Sequence, residues 1–230
     1  MSLPKIQLPI FELTLPSNSK KIKFRPFTVK EEKLLLIASE SEDTESKIRA
    51  VRQIVNNCCL NLETDVGMMP SFDLEYCFVK IRAKSVGNEV ELRYKDNTDE
   101  KIYDFLVDLD KLEVTFTENH TRNIPLSESV GVIMRYPTIE ILSELSTENG
   151  VLKMVQKCIE TIYDENSAYQ ASEYSLDELN EFIESISASQ FEKVLEFFST
   201  MPALKHELHY TDSAGTEKTI TLQGIDDFFP

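Results

Sequence analysis

A run of extended residues halted by a proline and followed at once by a helix cap constrains this chain more than any other stretch. Between Lys20 and Arg25 basic and apolar residues alternate, and Pro26 then fixes its own φ and biases Arg25 toward extended geometry. A strand should therefore end there. Thr28 and Glu31 stand at capping-box spacing, and Glu31 and Glu32 place negative charge in the first turn of the helix that follows. Leu34, Leu35, Leu36 and Ile37 are consecutive and cover more than one helical face, which predicts a helix buried from several sides. The stretch predicts a structural hinge between an N-terminal strand pair and a helical body.

Around this hinge the periodicity changes three times. Residues 5–15 alternate loosely between prolines and predict an edge strand, and Leu15-Pro16-Ser17-Asn18-Ser19 turns the chain back into Lys20–Arg25. Helical spacing predicts a helix over 44–62 and another over 72–83, the latter capped by Ser71 and apolar round most of its circumference, hence central. From Gly87 the period becomes two, through Val90–Tyr94, Ile102–Val107 and Leu112–Phe116. That predicts an antiparallel sheet of three or four strands in the middle third, ending near a short apolar segment at Val130–Tyr136. Helices are expected again over 137–146 and 150–163, then after capping boxes at Ser175/Glu178 and Ser189/Glu192. A hairpin over Leu204–Tyr210 and Thr219–Leu222 closes the pattern. The class is α+β. The chain of 230 residues is expected to act as one protein, subdivisible as 1–86, 87–136 and 137–230.

Charge excludes several functions. With 24 basic against 40 acidic residues the net charge is −16, which opposes polyanionic nucleic acid and anionic membrane surfaces. Residues 1–36 hold seven Lys/Arg against three Glu, whereas 164–196 hold nine Asp/Glu against one Lys. No 18-residue apolar run predicts a membrane helix, and the proline-interrupted start, without a basic leader, is not expected to be a signal peptide.

Reactive chemistry finds no motif. Cys58, Cys59, Cys77 and Cys158 fall in apolar helical patterns and are expected as buried free thiols. His120, His206 and His209 stand far along the chain from them and no C-x-x-C exists, so no metal site is expected. Gly87 lacks phosphate-loop context. The acid pairs Glu181/Glu184 and Glu31/Glu32 are expected to face solvent beside apolar faces rather than to flank a cleft. Neither a catalytic residue nor a cofactor nor a small-molecule substrate is expected.

Three stretches in order carry a family resemblance. Ile22-Lys23-Phe24-Arg25-Pro26-Phe27-Thr28-Val29-Lys30-Glu31-Glu32-Lys33, Ile81-Arg82-Ala83-Lys84-Ser85-Val86-Gly87 and the ending from Phe197-Phe198 to Asp227-Phe228-Phe229 resemble the T-even-type phage baseplate hub assembly proteins. The resemblance implies a non-enzymatic assembly chaperone that binds baseplate hub or other tail proteins of the same phage in the host cytoplasm. The alternative it leaves open is a permanent subunit of the virion's baseplate, and a third is an enzyme of hub maturation or cell-wall digestion. Some relatives carry a Cys pair in the last hairpin, but Thr211-Asp212-Ser213-Ala214-Gly215 has none here. The candidate partner-binding residues are Lys21, Lys23, Arg25, Phe27, Arg82, Lys84, Phe228 and Phe229. The same stretches equally suit turns and caps of the fold. The strand Lys20–Arg25 could add to a partner's sheet edge, and the apolar tail could dock in a groove.

Overall fold

The computed structural model describes residues 6–40, 43–63, 65–146, 148–224 and 227. Its elements are β1 (Phe11–Thr14), β2 (Lys21–Phe24), α1 (Val29–Ser39), α2 (Thr44–Cys58), α3 (Ser71–Ser85), β3 (Glu89–Lys95), β4 (Ile102–Asp108), β5 (Val114–Thr115), β6 (Asn123–Pro125) and β7 (Gly131–Met134). There follow α4 (Ile139–Ser143), α5 (Gly150–Cys158), β8 (Ile159–Tyr163), β9 (Ala168–Gln170), α6 (Leu176–Ser185), α7 (Ala188–Thr200), β10 (Ala203–Thr211) and β11 (Glu217–Gln223). This is the predicted α+β class, with the N-terminal strand pair and the C-terminal hairpin in place.

Two compact units form, Met1–Thr115 with Ala203–Pro230, and Phe116–Pro202. Ala203 on β10 lies opposite Thr115 on β5, so the chain leaves and re-enters the first unit at paired residues. The second unit is thus an insertion. These limits differ from divisions at 86/87 and 136/137, because a pairing across almost ninety residues leaves no local mark in the sequence.

In the first unit α3 is the central helix, as its composition predicts: Phe72, Leu74, Cys77, Phe78, Val79 and Ile81 are all buried. Ser71 does not cap it. Pro70 occupies the cap position without a side-chain bond, and Ser71 is the first helical residue. The buried Lys80 keeps its amine satisfied by donating to the Asp110 carbonyl at 2.7 Å. Hairpin β3–β4 meets hairpin β10–β11 through Tyr210, whose ring lies 4.4 Å from Tyr103 and whose hydroxyl donates to Asp96 Oδ2 at 2.8 Å. Lys218 donates to the same carboxylate at 2.6 Å and, with Thr98, holds Asp96 well below the ordinary carboxylate range. Cys58, Cys59 and Cys77 are buried free thiols, and burial pushes Cys58 up to about 12. Cys59 lies at the cap of α2, outside the helix in which the pattern placed it.

The middle third does not form one sheet. Its strands divide among three: β3–β4 alone, β5 on the edge of β10, and β6–β7 within the order β6-β7-β8-β9. Alternation reports which face of a strand is apolar and says nothing about its neighbour.

In the second unit Val132, Met134, Val155, Cys158, Val194 and Phe197 form the core. The helix expected over 150–163 stops at Cys158, and Ile159–Tyr163 continues as β8, antiparallel to β7. Its β-branched Ile159, Thr161 and Ile162 suit a pleated strand better than a helix. Likewise α7 begins earlier than predicted, capped by Ser187 with Gln190 rather than by Ser189 with Glu192. The α6 capping box, Ser175 with Glu178, is as expected.

Gly131 leaves no room for a side chain in this sheet. It pairs with Tyr163, and a Cβ there would run into the Tyr163 ring and stand 2.9 Å from the Ile124 carbonyl oxygen. Gly131→Ala is expected to destabilise the second unit by about 1–3 kcal/mol. Urea unfolding followed by circular dichroism measures it. A change below about 0.5 kcal/mol, the size of an ordinary surface substitution, would show that Tyr163 swings aside freely.

Candidate functional site

A dense set of bonds surrounds the start of α1 in the first unit. Thr28 caps the helix: its Oγ1 accepts from Lys30 N at 3.3 Å, and Glu31 Oε2 accepts from Thr28 N at 2.8 Å, completing the predicted box. Glu31 does more than cap. It is 1% exposed, contrary to the solvent-facing position expected for it, and Arg25 donates to its Oε1 at 3.1 Å. Asn57 on α2 adds a bond at 3.4 Å. Burial opposes ionisation of Glu31, yet the bonds from Arg25 and Thr28 outweigh it and lower its pKa to about 2.

Further bonds fasten the same segment to the other helices. Arg25 N donates to the Cys58 carbonyl at 3.0 Å, and Phe27 N to Ser85 Oγ at 2.9 Å. Arg25 and Phe27, both partner-binding candidates from the sequence, are thus committed internally, Arg25 as the counter-charge of Glu31 and Phe27 as a buried ring. Arg82 donates to the Gly87 carbonyl at 3.3 Å. Lys84 pairs with Asp110 at 2.9 Å. Lys21 and Lys23 are exposed on β2, with Lys23 Nζ 3.8 Å from Glu12. Phe228 and Phe229 lie outside the described residues.

Strand addition at β2 is not available. One edge of β2 pairs with β1, and the other is taken by residues 58–61: Lys23 N donates to Asn61 Oδ1 at 2.6 Å, and Leu60 N donates to the Lys23 carbonyl at 2.8 Å.

What the clamp holds in place is a helix with a bare apolar side. α1 buries Glu31 and Ala38, whereas Val29, Leu36 and Ile37 are 65%, 59% and 68% exposed. Positions i, i+7 and i+8 share one side of a helix. The expectation that α1 is covered on several sides is therefore wrong. It packs on α2 along one side, and the opposite side carries three large apolar residues in solvent with the exposed Lys33 between them. Such a side on a preformed helix whose start is fastened to its neighbours suits protein contact, since the helix itself need not be ordered on binding. The sequence signal was present: a short helix apolar all round needs more cover than one neighbouring helix supplies.

A family model described as T4 bacteriophage base plate protein matches residues 8–230. No curated protein and no solved structure matches the chain.

Proposed function

Because the chain belongs to the T4 bacteriophage base plate protein family, we propose that it acts without catalysis in building the baseplate hub, as an assembly chaperone that binds hub subunits of the same phage. The observation that carries this reading is the outer side of α1. Val29, Leu36 and Ile37 offer an apolar contact on a helix fixed by the Arg25–Glu31 clamp, and the occupant is a hub subunit. Exposed Lys21 and Lys23 add charges that can meet carboxylates of that partner. The acid pairs weigh against catalysis: Glu181 and Glu184 are exposed on α6, and Glu31 is consumed by its clamp. Binding takes place in the host cytoplasm while tails are being built.

The second reading, a permanent subunit of the baseplate, is favoured by the family description itself, which names the base plate. Quantitative mass spectrometry of infected-cell lysate and of purified virions separates the two. A chaperone is expected in lysate together with a hub subunit and absent from virions. Fixed stoichiometry in virions would replace it with the structural reading.

A further inference from the structure

The second unit contains an aromatic cavity of about 410 Å³, set between the end of β8, strand β9 and helix α6. Tyr163, Tyr169, Tyr174 and Phe182 supply four rings to its lining, and Asp164 and Glu178 supply two carboxylates. The lining holds no Lys, Arg or His. Tyr169 and Tyr174 stand edge to face with centroids 6.3 Å apart, and both are more than a third exposed.

Both acids are fixed by local bonds and keep their charge. Asp164 accepts from Asn166 N and Ser167 N, each at 2.8 Å, and from the Tyr169 hydroxyl at 2.8 Å, which lowers its pKa. Glu178 accepts from Ser175 N at 2.8 Å in the α6 capping box, and its pKa is lowered as well. That capping carboxylate also neutralises the positive end of α6, which would otherwise favour an anion. The site therefore combines negative charge with aromatic faces, the arrangement that attracts cations over rings.

We propose that this cavity receives an arginine side chain projecting from a partner protein. The proposal deepens the assembly reading by naming the chemistry of a second contact, and it rests on that reading for the partner being a protein. A guanidinium is planar and weakly hydrated, so it stacks on tyrosine faces, while its three-methylene stem lies along the apolar wall. The surrounding segment 164–196, with nine acidic residues against one Lys, steers a basic partner toward it.

The test uses the intact protein and two small probes, N-acetyl-arginine amide and its neutral isostere N-acetyl-citrulline amide, followed by NMR of the tyrosine rings. Saturable shifts at Tyr169 and Tyr174 are expected with the arginine probe, at millimolar concentration because the probe is small, and none with citrulline. Added salt should weaken the effect. Tyr174→Ala, at a half-exposed position, should reduce affinity at least about fivefold, the lower range of a cation–ring contact. Asp164→Asn, which keeps the acceptor for the turn and removes the charge, should also weaken binding. Equal response to both probes, no saturable response to arginine, or unchanged affinity in both variants would overturn the proposal. None of those results bears on α1, whose role is read separately with variants of Leu36 and Ile37.

Discussion

Arg25→Ala should lower the stability of the first unit by about 3 kcal/mol, since it removes one partner of a buried ion pair and leaves the other charged. Glu31 is almost wholly inaccessible, and its remaining partners, Thr28 and Asn57, supply bonds but no positive charge. The chain has no Trp, so urea unfolding is best followed by circular dichroism and tyrosine signals, each unit fitted separately. The same clamp predicts an acid limb. Glu31 has a pKa of about 2 in the folded chain against 4.5 as its ordinary value. The unfolded chain binds this proton more tightly, so the stabilisation is complete above 4.5 and is lost as pH falls toward 2. Its full size is about 3 kcal/mol. Other carboxylates, Asp96 among them, weaken over a similar range. The informative quantity is therefore the difference from Glu31→Gln, which cannot ionise. The wild-type chain should lose its advantage over this variant between pH 5 and 2, and parallel curves would show that Glu31 is not the stabilising anion.

The extent to which this structure was legible in the sequence depends on how local each signal is. Thr28 with Glu31 and Ser175 with Glu178 were readable because a cap is decided within four residues. The hairpin β10–β11 was readable because alternation flanks a turn rich in Asp, Ser and Gly. At α7 two serines two residues apart each had a suitable partner, and the fold uses the earlier one. β8 was hidden because Ile159 and Ile162 also fit a helical spacing. Hidden for a different reason was the assignment of β5 to β10, which is a contact between distant segments.

The candidate site divides the same way. Positive charge on Lys21 and Lys23 was visible and stays exposed, whereas the burial of Glu31 required knowing that Arg25 turns inward to meet it. Leu34 to Ile37 announced an apolar helix. Which of its sides would stay bare could be seen only once α2 was in place.

That bare side carries the second large effect. Replacing Leu36 and Ile37 together by Asp should leave the fold intact, because both are mostly solvent-exposed, while placing two charges in the middle of an apolar contact. Two anchoring residues at about 2 kcal/mol each would weaken binding of the partner roughly a thousandfold. Lys95→Ala, exposed on β3 and outside α1, is the control and should have little effect.

The decisive measurement is the yield of infectious particles when a phage lacking this chain is complemented by the Leu36→Asp, Ile37→Asp double variant, after its circular dichroism and melting temperature have been matched to wild type. Yield should collapse, with tail proteins no longer co-purifying with the variant. Wild-type yield from a folded double variant would show that α1 is not the contact through which this protein takes part in baseplate assembly.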